Sequence, residues 1–154
     1  MNRRQFVCAA VAVATTAGSS VTFAASAREK MVVYKDPNCG CCRAWADAMA
    51  KAGFDVEVVM ESDLLPVKTR LGVPLEVQGC HTATVAGYFL DGHVPLEAAN
   101  RLLQTKPKDL LGLAVPGMPS GSPGMGDDPS ASYDVLAVDK TGKTSVYLAV
   151  RPKI

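Results

Sequence analysis

Residues 31–51 read MVVYKDPNCGCCRAWADAMAK, and this stretch decides the fold class of the chain. The apolar run at its start predicts a β-strand over Met31–Tyr34, and turn-forming residues follow at 36–38. From Cys42 to Lys51 the chain is rich in alanine, which favours a helix. A strand that leads through a short turn into a helix begins a β-α-β unit, so the sequence predicts a sheet covered by helices.

The rest of the chain continues this alternation of strands and helices. The further elements we expect are a strand over 54–60, a helix from Ser62 or Asp63 to about Leu71, a β-type segment over 82–90 followed by an Asp91-Gly92 turn, a helix over 96–104, a long Gly/Pro/Ser-rich loop over 115–132, and a terminal hairpin of strands 133–138 and 144–150. A loop of that length in a small domain is either functional or disordered.

The order of these elements predicts an α/β fold. A cysteine cluster where the first strand meets the first helix is a thioredoxin-like arrangement. We therefore predict a thioredoxin-like mixed sheet with flanking helices and a C-terminal β-hairpin. Fold alone does not give function, so function has to be argued from the site.

The first 27 residues have the composition of an export signal. An arginine pair at positions 3–4 gives a positive start, an Ala/Val-rich run follows, and residues 25–27 have the small-x-small pattern that signal peptidase cuts. The arginine pair resembles a twin-arginine signal, and an ordinary secretory signal is the alternative. We therefore expect an export signal peptide over 1–27, one domain over 28–154 and a periplasmic location.

The charge balance gives no support to two classes of partner. Two of the 16 basic residues and none of the 15 acidic ones lie in 1–27, which leaves 14 basic and 15 acidic residues in 28–154. This balance favours neither nucleic acid nor an anionic membrane surface. The apolar run of the signal is interrupted by threonine, glycine and serine, so we expect no membrane association after its removal.

Four of the five cysteines lie outside the signal, at Cys39, Cys41, Cys42 and Cys80. Three of them fall within four residues at a predicted helix start, where unpaired amides and the positive end of the dipole stabilise thiolate. Gly40 lets the backbone turn tightly there. Cys80 precedes the third strand, and in a thioredoxin-like fold that loop faces the helix start. The four sulfurs are therefore predicted to converge.

The spacing of the cysteines suits several soft ions better than a single zinc ion. Four cysteines could hold zinc in a tetrahedron, but zinc sites usually combine two C-x-x-C pairs, whereas this chain offers three sulfurs and one. Crowded thiolates suit several soft ions, and Cu(I) is the ion that such ligands select. The candidate additional ligands are His81, His93, Met118 and Met125. Their alternative roles are those of structural histidines and exposed loop methionines.

A redox interpretation of the same motif stays open. Disulfides are the default in an oxidising compartment, and Cys39 with Cys42 forms the C-x-x-C pair of a thiol-disulfide oxidoreductase. Against this, Cys41 would be a competing nucleophile. Moreover, Cys80-His81 stands where those enzymes normally place a cis-proline. A structural zinc or disulfide protein is a third interpretation.

Several motifs, spread over most of 28–154, resemble the CopG-like family of periplasmic copper-binding proteins. The matching segments are YKDPNCGCC at 34–42, CHTA at 80–83, GY at 87–88, DGHVP at 91–95, GLAVPGMP at 112–119 and GSPGM at 121–125. The last two of these segments resemble the loop of the family. Two features depart from the family. Its members often carry Glu in place of Asp91, and they often have a further methionine in an acidic stretch after Met125, where 126–129 have none.

The resemblance implies a thioredoxin-like fold, a periplasmic location and a polynuclear Cu(I)-thiolate site built from the four cysteines. It also implies a role in copper resistance or homeostasis, with Cu(I)/Cu(II) redox cycling as a further activity to test. Copper ions are the expected ligand, and a periplasmic copper efflux system or chaperone is the expected partner. We expect a metal-binding protein rather than a classical enzyme, with copper oxidoreductase activity left open.

Overall fold

The computed structural model describes residues 28–126 and 128–152, so the predicted signal peptide lies outside the described residues. The elements are β1 Lys30–Lys35, α1 Gly40–Lys51, β2 Asp55–Met60, α2 Leu65–Leu71, a 3₁₀ turn Leu75–Val77, β3 His81–Val85, β4 Tyr88–Gly92, α3 Leu96–Thr105, β5 Leu110–Val115, β6 Tyr133–Asp139 and β7 Thr144–Val150. None of the helices in this described part of the chain is long and apolar enough to cross a membrane.

The described strands form one mixed sheet in the order β2-β1-β3-β4-β5-β6-β7. β1 pairs in parallel with β2, and β4 pairs in parallel with β5, so α1 and α3 serve as the crossover connections. The remaining neighbours are antiparallel, and β6 with β7 forms the C-terminal hairpin. The predicted mixed α/β class with flanking helices and a terminal hairpin is therefore confirmed.

Each face of the sheet carries its own apolar cluster, because successive side chains of a strand point to opposite faces. The larger cluster packs α1 and α3 against one face, and includes Met31, Val33, Trp45, Met49, Ala83, Leu90, Leu102 and Leu113. The smaller cluster covers the other face with the end of α2 and the residues after it, and includes Val73, Val77, Phe89, Ala114 and Val138. The sheet is thus sandwiched between helices near the end that bears the cysteines.

Trp45 fixes α1 on the sheet. Its side chain is fully buried in the larger cluster, and its Nε1 donates a hydrogen bond of 2.9 Å to the carbonyl oxygen of Val94. Gly53, with a φ of 106°, follows the end of the helix, where glycine readily adopts a positive φ. Because Trp45 lies one turn after the cysteine motif, its burial also determines where the sulfurs lie.

The turn between β3 and β4 differs from the predicted one. The sequence predicts a turn at Asp91-Gly92, whereas the chain turns at Ala86-Gly87, where φ is 48° and 86°. Positive φ at both residues is typical of a tight type I′ hairpin turn. Asp91 and Gly92 instead end β4. The Asp-Gly signal fails because the carboxylate of Asp91 is buried and hydrogen-bonded inside the molecule.

β5 is missing from the elements that the sequence predicts. The strand lies between β4 and β6 and has neighbours on both faces, so its residues Leu110–Val115 form an apolar run without alternation. Gly112 has no room for a side chain, because a Cβ there would collide with the carbonyl oxygen and ring of Phe89. The resemblance placed 112–119 in a loop, and the first part of that segment is strand.

α2 begins later than predicted. Its first residue is Leu65, and the residue before it, Leu64, makes no side-chain capping hydrogen bond. Asp63 still accepts a hydrogen bond of 3.0 Å from the amide of Leu65 through Oδ1, so it contributes to the turn that precedes the helix. The helix ends at Leu71 as predicted, and Gly72 follows it in the left-handed conformation with a φ of 75°.

Replacing Leu102 with alanine is expected to lower the free energy of unfolding by about 2–5 kcal/mol, because its fully buried side chain would leave a cavity between α3 and the sheet. Urea denaturation followed by far-UV circular dichroism measures the loss. The control is Leu75→Ala, since Leu75 is 77% exposed and its removal should change stability by no more than about 0.5 kcal/mol. Equal losses for the two variants would contradict the assigned core.

Candidate metal centre

The three clustered cysteines begin α1. In the turn before the helix, Asp36 accepts hydrogen bonds from the backbone amides of Asn38, at 2.7 Å, and Cys39, at 3.1 Å. Cys39 is the N-cap residue, and its Sγ accepts a hydrogen bond of 3.3 Å from the amide of Cys42. The sulfurs therefore lie at the positive end of the helix, where negative charge on sulfur is stabilised.

The fourth sulfur joins this cluster from the segment before β3. Sγ of Cys41 lies 3.5 Å from Sγ of Cys39 and 4.0 Å from Sγ of Cys80. The Sγ atoms of all four cysteines lie within 4.8 Å of one another. Cys39 and Cys42 are joined in a disulfide, whereas Cys41 and Cys80 are free thiols. After reduction of that disulfide, four thiolates would be close enough to share soft ions.

The loop after β5 brings a methionine sulfur to the cluster. Sδ of Met118 lies 3.7 Å from Sγ of Cys41, and the Met118 side chain is 54% exposed. Gly124 places the same loop against α1, because a Cβ there would come within 2.7 Å of the Cys41 carbonyl oxygen and 2.9 Å of the Trp45 amide nitrogen. Among the sulfur contacts of the described residues, none joins Met125 to a cysteine.

His93 is fully buried and faces Cys80. Its Nε2 lies 3.1 Å from Sγ of Cys80, and its Nδ1 lies 2.7 Å from the carbonyl oxygen of Pro123. A carbonyl oxygen can only accept a hydrogen bond, so Nδ1 carries the proton and Nε2 keeps its lone pair. The thiol of Cys80 therefore donates to Nε2. The loop that carries Pro123 thus sets both the tautomer and the orientation of the His93 ring.

His81 is fully buried on the other side of Cys80. Its Nδ1 lies 3.5 Å from Sγ of Cys80, and its ring centroid lies 4.5 Å from that of Trp45 and 5.3 Å from that of His93. Burial is the main cause that lowers the pKa of His81 to about 3, and the positive charge of Lys68 contributes, so the ring is neutral at neutral pH. Its Nε2 makes no hydrogen bond to the described residues.

The thiol of Cys80 is held in its protonated form. Burial above all, and then the neighbouring Cys41, raise its pKa to about 12, against the opposing effect of the positive charge of Lys68. The hydrogen bond that Cys80 donates to His93 also favours the thiol over the thiolate. In the metal-free protein, Cys80 is therefore a thiol at neutral pH.

A buried ion pair anchors the segment that carries Cys80 and His81. The carboxylate of Asp91 accepts hydrogen bonds from the ammonium group of Lys68, the hydroxyl of Thr82 and the backbone amide of Gly79. The side chains of Lys68 and Asp91 are 4% and 0% exposed. Because Gly79 and Thr82 flank the two site residues, one carboxylate fixes that segment on both sides.

The sequence analysis did not identify this anchor. Lys68 lies in a short helix and is followed by the exposed polar residues Thr69 and Arg70, and Asp91 belongs to a dipeptide that usually forms turns. The two residues are 23 positions apart, so no local spacing relates them. The sequence analysis also did not identify Lys35 as a buried residue. It is 2% exposed and donates to the carbonyl oxygens of Asp36, at 2.7 Å, and Pro37, at 3.4 Å.

Two solved structures match most of the chain. The one described as "Copper resistance protein copG- Form 1" is 40% identical with a TM-score of 0.74, and "Copper resistance protein copG- Form 2" is 41% identical with a TM-score of 0.73. Each match covers 80% of this chain and 98% of the other. The chain belongs to the CopG family. No curated protein sequence shows a significant match.

A family model described as "Protein of unknown function, DUF411" matches residues 77–125 of this CopG-family chain. That segment contains Cys80, both histidines and Met118, and it also contains the anchoring Asp91. The cysteines at the start of α1 lie before it. The CopG-family site is therefore assembled from two distant parts of the chain, which the pairing of β1 with β3 brings together.

Replacing Asp91 with asparagine is expected to lower the free energy of unfolding by about 3–5 kcal/mol, because Lys68 would remain as a buried and unpaired charge. Urea denaturation of the reduced, metal-free protein measures the loss. The control is Glu57→Gln, which breaks the exposed ion pair with Lys30 and should have little effect. A loss for Asp91→Asn as small as that of the control would show that the pair does not anchor the segment.

Proposed function

We propose that this CopG-family protein binds copper in the periplasm and acts in copper resistance and homeostasis. The observation that carries the proposal is the meeting of four cysteine sulfurs, within 4.8 Å of one another, at the positive end of α1. Thiolates are soft ligands that select Cu(I). The relatives described as copper resistance proteins support copper as the metal.

The site we propose is polynuclear. Its ligands are Cys39, Cys41, Cys42 and Cys80, with the thioether of Met118 on the exposed side. Sulfur separations of 3.5 and 4.0 Å favour thiolates that each bridge two ions, because several separate mononuclear sites would need more sulfurs than these four. Met125, His81 and His93 are the further candidate ligands.

The redox state of the cysteines governs how much copper the site holds. The disulfide withdraws Cys39 and Cys42 as ligands and leaves Cys41 and Cys80 free. Full loading therefore requires two electrons to reduce the disulfide. The same chemistry supports redox cycling, because oxidation of two thiolates to one disulfide releases two electrons and would reduce two Cu(II) ions to Cu(I).

The proposed partner is a periplasmic copper efflux system or chaperone that receives the ions. The export signal expected over 1–27 supports a periplasmic location. Met118 supports exchange with a partner, because its thioether lies beside Cys41 and is more than half exposed. A weak, exposed ligand next to a thiolate is a suitable first and last contact for an exchanging soft ion.

A thiol-disulfide oxidoreductase is the second candidate function. The disulfide between Cys39 and Cys42, at C-x-x-C spacing, favours it. Two observations oppose it. The sulfur of Cys41 lies 3.5 Å from that of Cys39 and would compete in exchange. Cys80, rather than a proline, precedes β3. Insulin reduction measures this activity directly, and rapid turnover would favour the enzyme.

Anaerobic titration of the fully reduced protein with Cu(I) is expected to bind several ions per chain and to mask four thiols, because all four cysteines act as ligands. A Cys8→Ala background removes the thiol of the amino-terminal segment from the count. Copper content and free thiols are measured on the same samples. The unreduced protein should mask only two thiols and bind less copper. Preferential tight binding of one zinc ion would contradict the proposal.

Cys80→Ser and Cys42→Ser are expected to weaken Cu(I) binding, and copper tolerance of the cell, to a similar extent. The reason is that each removes one sulfur from a shared cluster, although the residues lie in different elements. The control is Met60→Leu, which removes an exposed sulfur that contacts Lys35. If Cys39→Ser and Cys42→Ser abolish function while Cys80→Ser has no effect, the oxidoreductase interpretation is correct.

Copper affinity is expected to rise with pH. Cys80 has a pKa of about 12 in the metal-free protein, so at neutral pH it must lose a proton to bind metal. Raising the pH therefore favours the complex, by about tenfold per pH unit for this one proton as long as the pH stays below that pKa. Competition titrations with a Cu(I) chelator at several pH values measure the slope. An affinity independent of pH would show that Cys80 is not a ligand.

A further inference from the structure

We propose that the buried positive charge of Lys35 stabilises the reduced form of Cys39 and Cys42 and so sets how readily their disulfide is reduced. Lys35 is not a ligand in this account, because it acts on the two sulfurs only through its charge. The effect on the disulfide belongs to the metal-free protein. Its consequence for copper loading rests on the proposed function.

Lys35 occupies a core position of β1. Met31 and Val33 precede it at every second position and are buried in the cluster that packs on α1 and α3, so alternation directs the Lys35 side chain to the same face. Lys35 is 2% exposed, and its register partners in the sheet are Met60 of β2 and His81 of β3. A lysine thus stands where the strand pattern requires an apolar residue, at the end of the sheet that bears the cysteines.

No carboxylate pairs with this ammonium group in the described part of the chain. The basic residues that form ion pairs there are Lys30, Arg43, Lys68 and Arg151. Nζ of Lys35 instead contacts the carbonyl oxygens of Asp36 and Pro37 and, at 3.8 Å, Sδ of Met60. These acceptors carry no formal charge, and burying a charge without a paired anion is costly. An anion that forms in another state of the site would account for the lysine.

Such an anion forms when the disulfide is reduced. The disulfide between Cys39 and Cys42 is neutral, and two electrons convert it into two separate sulfurs. These sulfurs lie at the positive end of α1, which favours thiolate over thiol, so the reduced site gains negative charge. A nearby positive charge lowers the free energy of a thiolate and leaves that of a neutral disulfide unchanged. It therefore shifts the equilibrium towards the reduced form.

The ammonium group is close enough to act on these sulfurs. Nζ of Lys35 donates to the carbonyl oxygen of Asp36 at 2.7 Å, and the same oxygen accepts the backbone amide of Cys39 at 3.1 Å. With standard bond lengths, these contacts place the ammonium nitrogen within about 10 Å of Sγ of Cys39. Salt screens a buried charge only weakly. Burial is the main cause that lowers the pKa of His81, and the charge of Lys35 contributes, so its field already reaches a neighbour of Cys80.

A purely structural role explains Lys35 less well. Its hydrogen bonds to two carbonyl oxygens support the turn before α1, but an uncharged amide side chain offers N–H donors too and avoids the burial of a charge. The other buried lysine shows the usual solution, since the ammonium group of Lys68 is paired with the carboxylate of Asp91. Lys35 is therefore the buried cation whose charge remains available to the sulfurs.

The test measures the disulfide equilibrium without copper. Metal-free protein in the Cys8→Ala background is equilibrated anaerobically with reduced and oxidised glutathione. Two glutathione thiols become one glutathione disulfide, and the sulfurs of Cys39 and Cys42 take up the two electrons. The two protons go to these sulfurs or, where a thiolate forms, to the buffer. Acid quenching, alkylation and mass spectrometry then count two free thiols in the oxidised protein and four in the reduced protein.

Lys35→Met is expected to lower the equilibrium constant for reduction about tenfold, because the thiolate form loses a nearby positive charge. Lys35→Gln keeps an N–H donor without the charge and should cause the same loss. Lys35→Arg keeps the charge and should stay within about threefold of the parent protein. The control is Lys30→Met, which removes an exposed charge paired with Glu57 at the other end of β1 and should have little effect.

The pair of uncharged variants separates charge from hydrogen bonding. If Lys35→Gln keeps the equilibrium of the parent protein while Lys35→Met loses it, the hydrogen bonds act rather than the charge, and the proposal is wrong. An unchanged equilibrium in both variants overturns it as well. Far-UV circular dichroism verifies the fold of each variant, and Lys35→Gln covers the case in which Lys35→Met does not fold.

A copper measurement distinguishes this proposal from the proposed function. After equilibration in a glutathione buffer that half-reduces the parent protein, and removal of the glutathione, Lys35→Met should bind less Cu(I) than the parent. After full chemical reduction, the two proteins should mask the same four thiols. A shifted disulfide equilibrium in a protein that binds no Cu(I) would support the role of Lys35 and overturn the copper site. Normal Cu(I) binding with an unshifted equilibrium would overturn the role of Lys35 alone.

Discussion

The buried carboxylate of Asp91 holds the metal-binding end of the molecule together. It binds the ammonium group of Lys68 from α2 and the hydroxyl and amide groups on either side of Cys80 and His81. A buried charge of this kind is costly to expose or to leave unpaired, so the segment before β3 has one well-defined position. The sulfur of Cys80 can approach the start of α1 because its backbone is fixed from the opposite face of the sheet.

The two faces of the sheet therefore have different roles in building the site. On one face, Trp45 packs α1 against the strands and places three sulfurs at the helix start. On the other face, Lys68 and Asp91 lie with Thr82, whose side chain points away from that of its neighbour His81. The side chains of His81 and Thr82 thus lie on opposite faces of the sheet. This alternation lets one short stretch of strand contribute to the site and to its support.

Much of the fold and part of the site could be predicted from the sequence. The apolar run at 31–34 and the alanine-rich segment at 42–51 predicted the first strand and the first helix. The position of Cys80 before the third strand predicted its approach to the start of that helix. β5 was not predicted, because a strand that is covered on both faces lacks the alternation of apolar and polar residues by which strands are recognised. The tight turn at Ala86-Gly87 was not predicted, because the nearby Asp91-Gly92 is a stronger local turn signal.

The remaining features of the site depend on contacts that local sequence does not encode. The pairing of Lys68 with Asp91 joins residues from a helix and a strand, and the tautomer of His93 depends on a carbonyl group 30 residues away. Met118 and Met125 look alike in sequence, since both lie in the same glycine- and proline-rich loop. The folded loop brings the sulfur of Met118 to within 3.7 Å of Cys41. The sequence alone therefore does not distinguish Met118 from Met125, whereas the path of the folded backbone does.

The contact of Gly124 with α1 reduces the conformational entropy that the loop can lose when copper binds. Its backbone rests directly on the carbonyl of Cys41 and the amide of Trp45, so main-chain contact fixes the distance between loop and helix. The thioether of Met118 and the carbonyl of Pro123 both belong to that loop. Their conformational entropy is therefore lost when the chain folds and not when the ion arrives, which leaves more of the metal–ligand free energy available as affinity.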